Sequence, residues 1–210
     1  MKTNCPLCQT PSDSFFKDPN NHFFLCPNCE GIFRDRRHLL SLSEEKERYL
    51  HHRADINDKG YFKFVSPIIK EVKKFSGQGE HGLDFGCGHT PVLSEHLKKE
   101  GYNMAVFDPV FFKQASVLEK EYDFIVCCEA MEHFFSPFSE FSKLYHILKP
   151  KAKLICKTDL YHIDTNFKTW YYKNDPSHVF LYQARTIEKI KEMCHFKGVK
   201  IEDRLITFSK

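Results

Sequence analysis

The sequence has no apolar run of the ~18–20 residues that a membrane-spanning helix needs. Its longest such runs, Phe124–Cys128 among them, are only strand-sized. It shows no apolar segment of the secretory kind near its start, where MKTNCPLCQTP passes straight into cysteines. It also lacks a dominant charge: 31 Lys and Arg face 28 Asp and Glu, a balance that by itself does not point to nucleic acid. Locally, residues 81–150 are net acidic and residues 151–210 net basic. That suits either a basic substrate-facing edge or solvated lysine-rich helix faces. An odd count of nine cysteines, several standing singly among apolar neighbours, argues against a disulfide framework. The setting it implies is a reducing cytoplasm in which thiols serve as ligands or core filler. With 210 residues, 41% apolar and 28% charged, the chain can build one catalytic-sized domain and a small appendage, but not two full enzyme domains.

What is present begins with four cysteines that are not scattered. Cys5-Pro-Leu-Cys8 and Cys26-Pro-Asn-Cys29 are two C-x2-C pairs with seventeen residues between them. Two thiolates at i and i+3 across a tight turn can hold one side of a tetrahedral ion, and two such turns complete the shell. The intervening piece, with Phe15-Phe16 and Phe23-Phe24-Leu25, reads as a short hairpin too small for a core of its own, so a bound ion is needed to hold it. Residues 1–33 are therefore expected to be a zinc ribbon with Cys5, Cys8, Cys26 and Cys29 as ligands. Arg34, Arg36, Arg37 and His38 follow it, and suit either RNA contact or a solvated linker.

Residues 34–76 read as helical cover. Ser41 with Glu44 makes a capping box for a first helix, in which His51, His52 and Arg53 lie late. A second helix is expected from about Phe62 to Phe75, with Phe64, Val65, Ile68, Ile69 and Val72 inward and Pro67 near its first turn. From residue 77 the pattern changes. Gly82-Leu83-Asp84-Phe85 reads as a buried strand, Gly86-Cys87-Gly88 as a glycine turn, Val92 to about Gly101 as a helix, and Asn103–Phe107 as a second strand ending in Asp108. Strand, glycine loop, helix, strand and acid form half of a nucleotide-binding α/β fold. The loop lacks the third glycine of a pyrophosphate grip, and no G-x-x-x-x-G-K-[ST] occurs. A ligand with a ribose and adenine but no phosphate fits better, with Asp108 accepting from its ribose hydroxyls.

The run Leu83-Asp84-Phe85-Gly86-Cys87-Gly88 resembles the S-adenosylmethionine-binding signature of the class I methyltransferases. Tyr122–His133 resembles their fourth strand and following loop, and Leu144–Ile155 the next helix, turn and strand. Residues 80–158 carry the likeness well and the tail loosely. Within the superfamily it is most similar to the branch that includes ubiquinone-biosynthesis methylases. An amino-terminal four-cysteine element also occurs in some sugar C-methyltransferases and some ribosomal RNA guanine methyltransferases. The resemblance implies a Rossmann-like three-layer α/β sandwich over residues 77–210. Asp84 and the Gly86, Cys87 and Gly88 backbone would hold the methionine part of S-adenosyl-L-methionine, Asp108 the ribose, and Glu129 the cleft floor, with Glu132 and His133 on the substrate side.

Two departures mark this chain. Only thirteen residues separate Asp108 from Tyr122, where the family places a helix, a third strand and a further helix. Pro150-Lys151-Ala152 stands where Pro-Gly-Gly is usual. Asp108-Pro109-Val110-Phe111 follows the second strand and lacks the second proline of the amino-methylating Asp-Pro-Pro-aromatic motif. The tail from Lys157 to Val179 is the densest polar-aromatic segment and holds the single tryptophan, Trp170. Aromatic walls with histidines suit a planar or sugar acceptor. His178 is the first candidate for a base, His133 the second and Asp159 the third. Thr186 is expected to cap the next helix. The expected activity is methyl transfer to a small-molecule acceptor. RNA is the alternative acceptor, and a non-catalytic zinc-containing binding protein the alternative of another class.

Overall fold

The computed structural model describes residues 2–50 and 55–210. The amino-terminal element is a small antiparallel sheet of β1 (Thr3–Asn4), β2 (Pro11–Lys17), β3 (His22–Leu25) and β4 (Ile32–Arg34). The two cysteine pairs lie on turns beside it. Each turn closes with a residue in the left-handed region, Gln9 (φ 60°) and Glu30 (φ 58°). Their amides donate back to the Cys5 and Cys26 carbonyls, both at 2.9 Å. Helix α1 (Leu42–Leu50) starts at the expected capping box: the Ser41 amide donates to Glu44 Oε2 at 2.8 Å and the Glu44 amide to Ser41 Oγ at 3.4 Å. His51, His52 and Arg53 lie outside the described residues.

Helix α2 (Lys59–Val72) begins three residues before the expected Phe62, because Asp58 caps it by accepting from the Gly60 and Tyr61 amides. Pro67 therefore sits inside the helix rather than near its first turn. A proline there leaves the carbonyl four residues earlier without its amide donor. That carbonyl belongs to Lys63, and Ser66 Oγ donates to it at 2.9 Å. The side chain replaces the bond the imide cannot make.

The main sheet is assembled from β5 (His81–Phe85), β6 (Asn103–Phe107), β7 (Tyr122–Cys128) and β8 (Leu148–Lys157), with α3 (Val92–Lys99) between β5 and β6 and α4 (Pro137–Ile147) before β8. The tail adds β9 (Phe180–Leu181), α5 (Ala184–Met193), β10 (Gly198–Glu202) and β11 (Leu205–Ser209). Six strands run in the order β10-β11-β8-β7-β5-β6. β6, β5, β7 and β8 are parallel, and β11 and β10 antiparallel. Alternation along β7 builds both faces. Phe124 and Val126 pack with Val65, Ile68 and Val72 of α2 and Leu93 and Leu97 of α3. Ile125 and Cys127 pack with Phe141 and Leu144 of α4 and Ile187 and Ile190 of α5. This is the Rossmann-like layered α/β fold. Between Asp108 and Tyr122 stands only a short 3-10 turn at Ala115–Glu119, so β6 is the edge of the sheet.

Two local expectations are corrected. Pro150-Lys151-Ala152 is not a turn before the strand but a bulge inside β8. The register with β7 slips between Tyr122↔Leu148 and Phe124↔Lys153, and Lys151 takes φ 68°, the conformation glycine adopts freely. Thr186 is not the cap of α5. Gln183 is, and Thr186 Oγ1 accepts from the Gln183 amide at 3.1 Å from inside the first turn. No helix of the described residues is long and apolar enough to cross a membrane.

The four-cysteine element does not stand apart from the rest of the chain. β4 pairs with β9 through Ile32↔Leu181 and Phe33↔Phe180, so the tail contributes the fifth strand of the amino-terminal sheet.

Candidate active site

Parallel strands place ligand sites at their carboxyl ends, and two groups of candidate residues meet there. The first is the turn after β5. Gly86 and Gly88 both take positive φ, 79° and 65°. A Cβ on Gly86 would lie 2.4 Å from Ala130 Cβ, so that glycine is needed for close packing against the loop after β7. A Cβ on Gly88 would meet nothing within 4 Å, so that glycine faces open space. The Gly88 amide donates to Asp108 Oδ2 at 3.0 Å, and the Val110 and Phe111 amides donate to Asp108 Oδ1 at 2.8 and 3.0 Å. A carboxylate offers about four lone-pair sites. Three are filled by backbone, which fixes the turn, and one on Oδ2 remains for a hydroxyl. Asp84 is turned inward: it is buried, accepts from Ser94 Oγ at 2.9 Å, and burial raises its carboxyl to about 7. Its contact in this structure is thus to α3, while the backbone of Gly86, Cys87 and Gly88 forms the turn itself.

The second group surrounds the end of β7. Glu129 takes φ 48°, an unusual conformation for a residue with a side chain. Arg204 Nη2 donates to both its oxygens at 2.8 and 2.9 Å, and Lys157 Nζ lies 3.8 Å away. Glu132 is wholly buried. Thr158 Oγ1 donates to its Oε2 at 3.1 Å, and the Tyr172 hydroxyl donates to its Oε1 and stands 3.2 Å from Glu129 Oε2. Burial raises both carboxyls to about 7, with Glu132's charge adding to the effect on Glu129. Arg204 Nη2 and Lys157 Nζ both stand against Glu129 and favour its charged form.

Beside this pair stand both candidate histidines. His178 Nδ1 lies 2.7 Å from the Tyr172 carbonyl, which makes Nδ1 the donor and leaves the Nε2 lone pair free, 3.9 Å from Glu132 Oε1. Burial, with His133 adjacent, pushes His178 down to about 4, so it is neutral at pH 7. His133 Nδ1 donates to the Ser177 carbonyl at 2.9 Å, and its ring lies 5.0 Å from that of His178. Asp159 is half-buried and accepts from the Tyr171 hydroxyl at 2.8 Å. The structure thus gathers Glu129, Glu132, His133 and His178 into one cluster, with Asp159 beside it across Tyr171 and Arg204.

The four cysteines are likewise gathered. Cys5 Sγ lies 3.6 Å from Cys29 Sγ and Cys8 Sγ 3.4 Å from Cys26 Sγ, all within 4.8 Å of one another. A disulfide needs sulfurs at about 2.05 Å, whereas thiolates around a tetrahedral ion stand about 3.8 Å apart. All four are free thiols, and only Cys8 is not fully buried.

A sequence model of the methyltransferase domain family matches residues 49–200. The chain belongs to this family. A comparison with curated protein sequences gives no match. Among solved structures, a S-adenosylmethionine-dependent methyltransferase from Archaeoglobus fulgidus superposes with TM-score 0.58 at 15% identity, over 80% of this chain and 99% of that one. Phosphoethanolamine N-methyltransferase 2 of Haemonchus contortus, with phosphomonomethylethanolamine and S-adenosylhomocysteine bound, gives 0.56 at 15% identity over 81% of this chain. This chain spans about half of that enzyme, 48% of its length. Magnesium protoporphyrin IX methyltransferase of Synechocystis with bound S-adenosylhomocysteine gives 0.54 at 15% identity over 83% and 97%. These likenesses concern the fold.

The methyltransferase domain places further residues at the cleft that sequence reasoning did not single out. Tyr49 of α1 packs edge-on against Phe111, 6.4 Å between centroids, and its hydroxyl lies 3.1 Å from the His133 ring nitrogens. Burial, with Cys128, Asp84 and Glu129 adding to it, raises the hydroxyl of Tyr61 of α2. Arg204 comes from the β10–β11 turn, far along the chain. None has a local signal; each is an ordinary residue until the fold brings its partner near.

Proposed function

We propose that this methyltransferase carries a methyl group from S-adenosyl-L-methionine to a small-molecule acceptor. The observation that carries the reading is the glycine turn: an open face at Gly88 beside an Asp108 carboxylate with one free acceptor site, next to the buried Glu129–Glu132–His178 cluster. In this reading the Gly86, Cys87 and Gly88 backbone cradles the methionine part, Asp108 takes a ribose hydroxyl, and Glu129 closes the floor. Asp84 acts by holding the turn through Ser94.

Methyl transfer needs an in-line nucleophile about 3 Å from the sulfonium methyl and, for some acceptors, removal of a proton. His178 suits that task because it is neutral at pH 7 and its Nδ1–H is committed to the Tyr172 carbonyl, which leaves the Nε2 lone pair facing Glu132. His133 is the second candidate and Asp159 the third. The four thiols suit a structural zinc ion. The donor set is all sulfur and the four sulfurs converge, as a structural site requires.

Ultraviolet irradiation with methyl-tritiated S-adenosylmethionine, followed by peptide mapping, tests the placement. Label should fall on peptides covering residues 83–91, 104–112 or 129–133. Label confined to residues 1–40, or none at all, would overturn it.

One observation favours RNA as the acceptor. A cavity of about 440 Å³ between the cysteine element and the loop after β7 is lined by Phe24, Phe33 and Phe135, with Lys2, Arg36 and Arg37 at its rim. An RNA enzyme would bind RNA with an affinity that falls steeply with salt and with neutralisation of Arg36 and Arg37. The small-molecule reading expects no such dependence.

A further inference from the structure

The cysteine element and the wall that carries His178 are joined by one buried side chain. Arg34, the last residue of β4, is 4% exposed. Its Nε donates to the His178 carbonyl at 3.1 Å, and Nη2 to the Lys173 and Asp175 carbonyls at 2.9 and 2.8 Å. Nη1 donates to Asn21 Oδ1, on the turn between β2 and β3. Three carbonyls of one irregular segment, residues 173–178, thus find their donors on one guanidinium. Buried carbonyls need such donors, and a guanidinium supplies five N–H groups in a fixed fork. The Arg34 amide also donates to the Val179 carbonyl, and the Val179 amide to the Glu132 carbonyl, each at 2.9 Å. The bonds therefore run unbroken from the cysteine element to the loop after β7.

The apolar packing is shared in the same way. One cluster joins Phe23 and Ile32 of the cysteine element to Tyr161, Phe167, Trp170, Tyr172 and Leu181 of the tail. At the second cysteine turn, Gln183 Nε2 donates to the Glu30 carbonyl at 2.7 Å, and a Cβ on Gly31 would lie 2.3 Å from the Phe180 ring. The cofactor side is built differently. The Gly86 and Cys87 amides donate to the Phe107 carbonyl, and the Gly88 amide to Asp108, so that turn is closed by its own strands.

We infer that Arg34 is a positioning residue through which the metal-loaded cysteine element holds the wall carrying Tyr172 and His178, and that loss of the ion unmakes this wall while the cofactor half stays formed. The inference rests on the reading of the four cysteines as a metal site. Its physical basis is that thiols without an ion leave the amino-terminal sheet with too little core to hold itself, and that Tyr161, Phe167, Trp170 and Tyr172 of the wall pack on that sheet, while Val179, Phe180 and Tyr182 reach the main core.

The test is hydrogen exchange read by mass spectrometry on the full chain, first loaded with zinc and then stripped by a chelator, with S-adenosylhomocysteine as the probe of the cofactor half. Metal analysis before stripping should give one zinc per chain. Stripping should speed exchange at residues 160–183 by at least about tenfold, leave residues 81–108 protected, and change affinity for S-adenosylhomocysteine less than about threefold.

Arg34→Lys supplies the second arm, since an ammonium cannot serve three carbonyls in the plane of a fork. It should keep its zinc and its affinity for S-adenosylhomocysteine, exchange faster at 173–179, and shift the His178 imidazole resonances in the NMR spectrum. The control Lys99→Ala, at an exposed site of α3, should leave those resonances in place.

Unchanged protection of 160–183 after stripping overturns the inference. So does loss of the cofactor half together with the wall, or an Arg34→Lys variant with the exchange and His178 resonances of the parent. A chain that carries no metal at the outset sinks the zinc reading itself, an outcome the metal analysis separates from all the others.

Discussion

Glu132 and Glu129 carry a cost of burial that pH reveals. Both carboxyls are raised to about 7, with burial as the first cause. A raised acid binds its proton more tightly folded than unfolded, so between about pH 4.5 and 7 the folded state holds protons the unfolded chain has released. Its contribution to stability falls as pH rises through that window and is flat above it. Glu132→Gln removes the titration while keeping an acceptor for Tyr172. The variant should therefore gain on the parent between pH 5 and pH 8, by on the order of 2 kcal/mol, as measured by urea unfolding at the two values. An equal difference at both would contradict the assignment. The two glycines of the turn make a second contrast. Gly86→Ala meets Ala130 at 2.4 Å as well as an unfavourable φ, and should destabilise by about 2–3 kcal/mol. Gly88→Ala meets no protein atom; it should cost only about 1 kcal/mol yet weaken S-adenosylhomocysteine by at least about tenfold, because the new methyl enters the ligand's space. Thermal melts and binding of the two variants check the pair.

At the scale of elements, the β4–β9 pairing explains why a small sulfur-rich element can be part of an enzyme's wall. Gly31→Ala pushes a methyl to 2.3 Å from the ring of Phe180, a residue of that strand pair. It should cost about 1–3 kcal/mol by overpacking and lower the affinity for zinc, read by competition with a chromophoric chelator. Affinity equal to the parent's would show that the pairing does not bear on the metal. The regular elements were legible because their signals are local. A short buried run set β5, a strand-sized apolar run set β7, Ser41 with Glu44 set the start of α1, and the Gly86–Gly88 turn followed directly from its glycines. The cluster around Glu132 was legible in part, since Glu129, Glu132 and His133 share one loop and His178 stands in a marked aromatic segment. Arg34, Tyr49 and Arg204 were not, because the partners they meet lie 144, 84 and 75 residues away, and only the topology brings them together. The start of α2 and the bulge at Lys151 were misread for a related reason. Pro67 and Pro150 each signal a break, and in both places a neighbouring donor or a left-handed residue lets the element continue.

Over the whole molecule, the sheet divides the chemistry into two halves that meet at the carboxyl ends of β5 and β7. One half is closed by its own strands around Gly86, Gly88 and Asp108. The other is hung on the cysteine element through Arg34 and β9. The short connection between Asp108 and Tyr122 leaves β6 as the sheet edge without disturbing the turn that would hold the cofactor, because Asp108 takes its fixing bonds from Gly88, Val110 and Phe111 rather than from any further strand. Methyl-donor binding is the claim on which the rest depends, and calorimetric titration of S-adenosylhomocysteine into the zinc-loaded chain tests it most directly. The account predicts one site per chain, with affinity reduced at least about tenfold in Asp108→Ala. Absence of binding by the folded, metal-loaded chain, or binding that Asp108→Ala leaves unchanged, would contradict it.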